Sequence, residues 1–192
     1  MIVITNPIAV SNETNIIHSL FENGLELLHV RKPDYSETEM ISFLTAVGSD
    51  YKKKLVLHSH HHLANEFGIS RIHYTQKDRN TDLMIHNPAF KSTSAHSVEE
   101  FNTLENFDYA FLSPVHPSIS KSGYVSPENL LESVKNRTNF STKLIALGGI
   151  SPENISETLK KGFDDVALLG TLWNSTNTLE NFKKCQQVVH SF

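Results

Sequence analysis

Short apolar runs recur along the chain, each followed by a longer stretch with helical spacing of apolar residues. The runs are Ile2–Thr5, Leu25–Val30, Lys54–His58, Arg71–Tyr74, Phe90–Ser94, Tyr109–Leu112, Lys143–Leu147 and Asp165–Leu169. Most show no apolar–polar alternation, the pattern of a strand buried on both faces in a parallel sheet. The helices between them carry start and stop signals. Ser36-Glu-Thr-Glu39 and Ser97-Val-Glu-Glu100 read as capping boxes, in which side chain and backbone satisfy each other's open groups. Ser126-Pro127 and Ser151-Pro152 place a cap before a first-turn proline, and Gly24, Gly48, Gly68 and Gly162 fall where helices end. The fourth unit is weak, since Asp82–His86 is at best one helical turn before Pro88. Pro114 and Pro117 follow the sixth strand and interrupt no ladder.

Eight strand–helix units predict an α/β fold, a single (β/α)8 TIM barrel over residues 1–192. The competing open doubly wound sheet would place a glycine-rich turn after the first strand, where Asn6-Pro7-Ile8 stands instead.

Composition narrows the function classes. The 192 residues suit one domain, and the formal net charge of -4 points away from nucleic acid and anionic membranes. No apolar run approaches the roughly 18 residues of a spanning helix. The N-terminus reads directly as a strand, not a leader. Cys185 is the only cysteine, so no internal disulfide forms. The cytoplasm is the expected compartment, and a homodimer is compatible with the sequence.

In such a barrel the chemistry sits at the C-terminal strand ends. Those ends carry His29-Val-Arg31-Lys32, His58-Ser59, His73-Tyr-Thr75-Gln76-Lys77-Asp78, Ser92-Thr-Ser94, Ser113-Pro-Val-His116-Pro-Ser118-Ile-Ser120-Lys121, Gly148-Gly149 and Leu169-Gly170. Basic and hydroxyl groups dominate, which favours an anionic ligand, a phosphate or diphosphate. Gly148 and Gly149 strip side chains from a strand end ahead of the Ser151 cap, so backbone amides there suit a phosphate; a tight connection that binds nothing is the plain alternative. Alternation puts Arg31 inward or at the mouth, where its guanidinium matches phosphate oxygens. Lys121 lies in a Ser/Lys loop fit to cover an anion. His116 has the pKa range of an acid or base. His58, His60, His61 and His62 do not read as a transition-metal site, because consecutive residues cannot all converge on one ion.

Four segments in register resemble the thiamine phosphate synthase family, with its sister branch of thiazole tautomerases: Ser94-Ala-His-Ser-Val-Glu-Glu100, Asp108-Tyr-Ala-Phe-Leu-Ser-Pro-Val115 with Ser118-Ile-Ser-Lys121, Ile145-Ala-Leu-Gly-Gly-Ile150, and Asp165-Val-Ala-Leu-Leu-Gly170. The resemblance implies a (β/α)8 barrel that joins a pyrimidine diphosphate to a thiazole phosphate. Diphosphate departs with Mg²⁺ help, and the thiazole nitrogen captures the pyrimidine cation. It implies that Arg31, Ser94 and Lys121 hold the diphosphate, that Ser118, Ser120, Gly149 and Gly170 hold the thiazole phosphate beside Gly148 and Leu169, and that Asp78 binds Mg²⁺.

Two departures bear on that assignment. The family's second basic residue on strand two is displaced to Lys32, and one position along a strand reverses the side chain. The family's Asn-Asp after strand three reads His58-Ser59, which removes a hard oxygen ligand. Three activities follow as expectations: synthase, a metal-independent tautomerase using His116, or a phosphate-ligand binder without catalysis.

Overall fold

The computed structural model of the protein describes residues 1–79, 88–117 and 129–192. Strands β1 (Ile2–Ile4), β2 (Leu27–Val30), β3 (Leu55–Leu57), β4 (Arg71–Tyr74), β5 (Phe90–Ala95), β6 (Tyr109–Leu112), β7 (Lys143–Ala146) and β8 (Asp165–Leu168) form a closed barrel in sequence order. Every pairing is parallel, and β8 returns to β1 through Ile2–Ala167 and Val3–Leu168. Helices α1 (Glu13–Glu22), α2 (Glu37–Val47), α3 (Leu63–Phe67), α4 (Gln76–Arg79), α5 (Val98–Asn102), α6 (Leu130–Ser133), α7 (Ile155–Lys160), α8 (Gly170–Trp173) and α9 (Thr178–His190), with short 3-10 turns at Ser49–Lys54 and Val134–Asn136, complete the described elements. The expected turn at Asp82–His86 and the cap at Ser126-Pro127 lie outside the described residues.

Two hydrophobic layers explain why the strands read as continuously apolar. Val3, Leu28, Val30, Leu57, Ile72, Leu112, Leu144 and Val166 face outward against Ile17, Leu20, Met40, Leu44, Phe101 and Phe182 of the helices. Ile2, Ile4, Tyr109, Phe111, Ile145 and Ala167 fill the interior instead. Alternation is therefore present in direction but not in polarity, as a barrel requires. Each fully buried leucine contributes about 1.5–3 kcal/mol of transfer free energy, so the outer layer carries most of the apolar stabilisation.

The caps divide into three outcomes. Ser36 and Glu39 form the complete reciprocal box. Ser97 accepts from the Glu100 amide, but the Glu100 carboxylate leaves the box to receive Arg79 Nη2 at 2.6 Å and the His96 amide at 2.8 Å. The Ser151 expectation is corrected: α7 begins at Ile155, because residues 151–154 close a turn of their own. Asn154 Oδ1 accepts from the Ser151 amide at 2.9 Å, and Ser151 Oγ donates to Glu153 at 2.6 Å. Cys185 is buried in α9, where desolvation pushes its thiol up to about 12, consistent with a packing role.

Candidate active site at the barrel mouth

Polar side chains enter the interior from β2 (His29), β4 (His73) and β5 (Ser92, Ser94) and from His58 just beyond β3, in contrast to the largely apolar interior of β6, β7, β8 and β1. His29 on β2, His58 just beyond β3 and His73 on β4 meet inside the barrel. His29 Nδ1 lies 2.8 Å from His58 Nε2, and His29 Nε2 lies 2.7 Å from the Tyr109 hydroxyl. His73 Nδ1 and Nε2 reach the hydroxyls of Ser92 (3.0 Å) and Ser94 (3.2 Å). The His58 and His73 rings stack at 4.0 Å, and Phe111 lies against His29 and His73. Burial holds all three imidazoles below the ordinary histidine pKa, with like-charge repulsion adding to it; His73 falls to about 3. The cluster is neutral at pH 7.

Above this floor stands Arg31, half-buried, with no hydrogen-bond or ion-pair partner for its guanidinium among the described residues. Its backbone is fixed by Thr5, whose hydroxyl accepts from the Arg31 amide at 2.9 Å and donates to the Arg31 carbonyl at 3.1 Å. Lys32 points the other way, as the one-residue displacement predicts. Its ammonium is fully buried, 2.6 Å from Glu13 and 3.0 Å from the Ile8 carbonyl, and lies 5.2 Å from the ring centres of Tyr35 and Phe43. Lys32 therefore braces the loop after β1 and does not reach the mouth.

Ser94 lies at the mouth, but its hydroxyl is already shared with His73, and its carbonyl receives Arg79 Nη2 at 3.1 Å. Asp78 forms a reciprocal cap with Thr75: its carboxylate accepts from the Thr75 amide (2.8 Å) and hydroxyl (2.7 Å), and its own amide donates back (3.2 Å). The Mg²⁺ expectation rests on Asp78, whose Oδ2 is engaged by Thr75. Mg²⁺ requires hard oxygen ligands in octahedral geometry. Among the described residues, the one grouping of three or more ligating side chains is the imidazole trio, and Asp78 is not part of it.

On the opposite rim, Gly148 and Gly149 have a reason other than a ligand. A Cβ on Gly148 would stand 2.7 Å from Pro114 Cα, and one on Gly149 would stand 2.3 Å from the Pro117 carbonyl oxygen. Both have positive φ, at 97° and 63°. The segment after β6 packs across them, with Val115 N donating to Leu147 O (2.9 Å) and His116 N to Gly148 O (3.1 Å). The expected close approach is thus made first by the protein's own chain. The loops after β7 and β8 are joined by the Thr171 hydroxyl, which donates to the Ile150 carbonyl. Helix α8 opens at Gly170, directly after the half-buried Leu169, so its first amides have no intrahelical acceptor.

His116 sits on that packed segment with Nε2 2.9 Å from Thr158 Oγ1. Thr158 donates its own proton to Asn154 O at 2.8 Å, so its hydroxyl accepts from His116 and fixes the Nε2–H tautomer. Burial lowers the His116 pKa, leaving Nδ1 as the acceptor at neutral pH. Ser118, Ser120 and Lys121 lie outside the described residues.

Sequence reasoning placed His29 and His73 at the polar strand ends without giving them a role, and it missed Tyr109 and Arg79. Three of them carry a signal. His29 is in phase with Arg31, His73 with Arg71, and Tyr109 with Phe111, so alternation alone places each on the interior face.

Comparison with known proteins assigns the barrel. Residues 1–172 match the family model described as thiamine monophosphate synthase. A thiamine-phosphate synthase from Listeria innocua is 30% identical over 147 residues, spanning 72% of this chain and 65% of that protein. The crystal structure of thiamine phosphate pyrophosphorylase from Bacteroides thetaiotaomicron superposes with a TM-score of 0.81 at 34% identity, covering 99% of this chain and 97% of the other. The Pyrococcus furiosus thiamine phosphate pyrophosphorylase shares the fold, with a TM-score of 0.83 at 18% identity over 99% and 95%. With the closed barrel, the polar mouth and a model match running from the first strand past the eighth, the chain belongs to the thiamine monophosphate synthase family.

Proposed function

We propose that the protein is a thiamine phosphate synthase-type transferase, acting in the cytoplasm on two phosphorylated small molecules. The observation that carries this reading is Arg31: a half-buried guanidinium held by a fixed backbone at the mouth, with no partner among the described residues. A planar cation kept free of internal anions supports binding of a diphosphate. In the proposed reaction the bond between the pyrimidine methylene and the diphosphate oxygen breaks, and its electron pair leaves with the diphosphate. The thiazole nitrogen then forms the new carbon–nitrogen bond. Arg31 stabilises the leaving group's growing charge. The rim of Gly149 and Gly170 receives the thiazole phosphate.

The test is formation of thiamine phosphate from hydroxymethylpyrimidine diphosphate and thiazole phosphate, with and without added Mg²⁺. Product in either condition supports the proposal. Its absence in both, with a folded protein, removes it.

A further inference from the structure

We infer that His29, His58 and His73 form a binding site for one first-row transition-metal ion of borderline softness, the class of Zn²⁺ and Co²⁺, inside the barrel. This site is separate from the transferase reading and holds or fails independently of it. One ligand nitrogen from each ring lies within 4.8 Å of the other two, from three adjacent strands. A trio drawn from three strands meets the requirement for convergence that the run at positions 58 to 62 cannot meet. Three imidazoles with an open fourth position are a known donor set for zinc, whereas Mg²⁺ and Ca²⁺ require oxygen.

The surroundings are those of a ligating set. A metal-bound histidine usually donates its second ring nitrogen to an oxygen, which fixes its orientation. Here the Tyr109 hydroxyl stands at His29 Nε2, and the Ser92 and Ser94 hydroxyls stand at the two nitrogens of His73. His29 and His73 are buried at 0% and 3% exposure, while His58 is half-buried beneath the mouth, which gives an ion an entry path.

Binding asks for a local rearrangement, in which ligand nitrogens now up to 4.8 Å apart close by up to about 1.5 Å and His73 gives up one of its two serine hydroxyls. Two ligands each about 2.0–2.1 Å from a tetrahedral zinc stand roughly 3.3 Å apart. The His29–His58 nitrogens, 2.8 Å apart, open by about half an ångström, and His58 turns off its stack with His73. The one proton shared between those nitrogens moves to the other nitrogen of its own ring, His29 Nε2 facing the Tyr109 hydroxyl or His58 Nδ1, so that both facing lone pairs are free for the metal. A fourth ligand, water or an anion, completes the shell from the side of the mouth.

The experiment uses the purified full chain, stripped with chelator and dialysed against buffer containing Zn²⁺ or Co²⁺, with far-UV circular dichroism confirming the fold. The expected result is one ion retained per chain, an intense visible Co²⁺ spectrum of a four- or five-coordinate site, and no displacement by excess Mg²⁺. His58→Gln lowers retention at least tenfold, whereas the double variant His60→Ala/His62→Ala, half-buried and surface positions outside the trio, retains the ion. Paramagnetic broadening by Co²⁺ of the Tyr109 and Phe111 ring signals locates the site in the wild-type chain without any variant. A folded wild-type chain that keeps no ion, retention lost only in the double variant, or Co²⁺ that leaves Tyr109 and Phe111 unbroadened would each overturn the inference.

Discussion

Three neutral imidazoles in a barrel interior make the fold sensitive to acid, and the size of the effect follows from the structure. A histidine with a folded pKa below its unfolded value of about 6.5 binds fewer protons when folded, so stability rises with pH. The stabilisation is complete above about pH 6.5 and is lost as the pH falls toward the folded pKa. For His73, lowered to about 3, the stability difference between pH 7 and pH 5 is about 2 kcal/mol. His29 and His58 are held well below the ordinary value for the same reason, burial first and mutual repulsion second. Both act in the same direction as His73, whose contribution alone is already a sizeable part of the total stability of about 5–15 kcal/mol expected of a domain. His116, lowered by burial, adds in the same direction. The assay is urea unfolding followed by circular dichroism at pH 7, 6 and 5 in the presence of chelator. With a denaturant slope of about 2–3 kcal/mol/M, the His73 contribution alone should lower the midpoint by at least about 0.7 M across that range. The slope of stability with pH near pH 5 should exceed the one-proton value of about 1.4 kcal/mol per unit, because His29 and His58 add in the same direction. His58→Gln should reduce it by about one proton's worth. A midpoint that moves by less than about 0.5 M, or cluster histidines that titrate near 6.5 in the folded protein by NMR, would refute the reasoning.

Other residues give sharper single tests. Arg31→Ala should lower kcat/KM for the proposed transfer by about 10²-fold or more, and Arg31→Lys should recover part of it, since an ammonium lacks the bidentate fork; equal rates in all three proteins would remove Arg31 from the reaction. Lys32→Met should cost about 3–5 kcal/mol in urea unfolding by stranding the Glu13 carboxylate, and adding Glu13→Leu should restore most of it. A loss under about 1 kcal/mol for the single variant would show that the pair is not held as described. Gly149→Ala should destabilise the fold by about 1–3 kcal/mol, because φ of 63° and the Pro117 oxygen oppose a Cβ, and should raise KM for the thiazole phosphate. An unchanged melt and KM would separate the glycine from the segment after β6. Cys185 should resist thiol reagents until the protein unfolds, as its burial and raised pKa require.

The barrel was legible because its strands have both faces buried. Runs such as Leu25–Val30 and Lys143–Leu147 announce themselves without a period to detect, and glycines at 24, 48, 68 and 162 mark helix ends. The reversal of Lys32 was equally readable, because a strand's period of two leaves no latitude. Its partner was not: Glu13 lies nineteen positions earlier on α1, and only the fold brings them together. The same limit hid the histidine cluster. Positions 29, 58 and 73 stand out singly as polar strand ends, but nothing along the chain shows that their rings converge, while the adjacent His60, His61 and His62 attract the eye. The start of α7 was misplaced because Ser151-Pro152 is a plausible cap and also a plausible turn, and the Asn154 side chain decides in favour of the turn. Gly148-Gly149 shows that two requirements can produce one motif, since a crossing segment and a ligand both demand an absent side chain.

The division of the barrel interior into an imidazole half and an apolar half constrains how this chain can change by mutation. Because each imidazole completes the bonding of another group, no member can be exchanged alone without consequence. His58→Asp, the simplest route to a carboxylate at that position, leaves His29 Nδ1 without its 2.8 Å partner deep inside the barrel. An unsatisfied buried polar group costs about 1–3 kcal/mol, so the path to an oxygen-ligand site runs through a weakened intermediate. The apolar half, filled by Ile2, Ile4, Phe111, Ile145 and Ala167, accepts volume-conserving exchange more readily. The trio is therefore entrenched: its members are inherited or replaced together, and substitutions at 29, 58 and 73 should covary as a set.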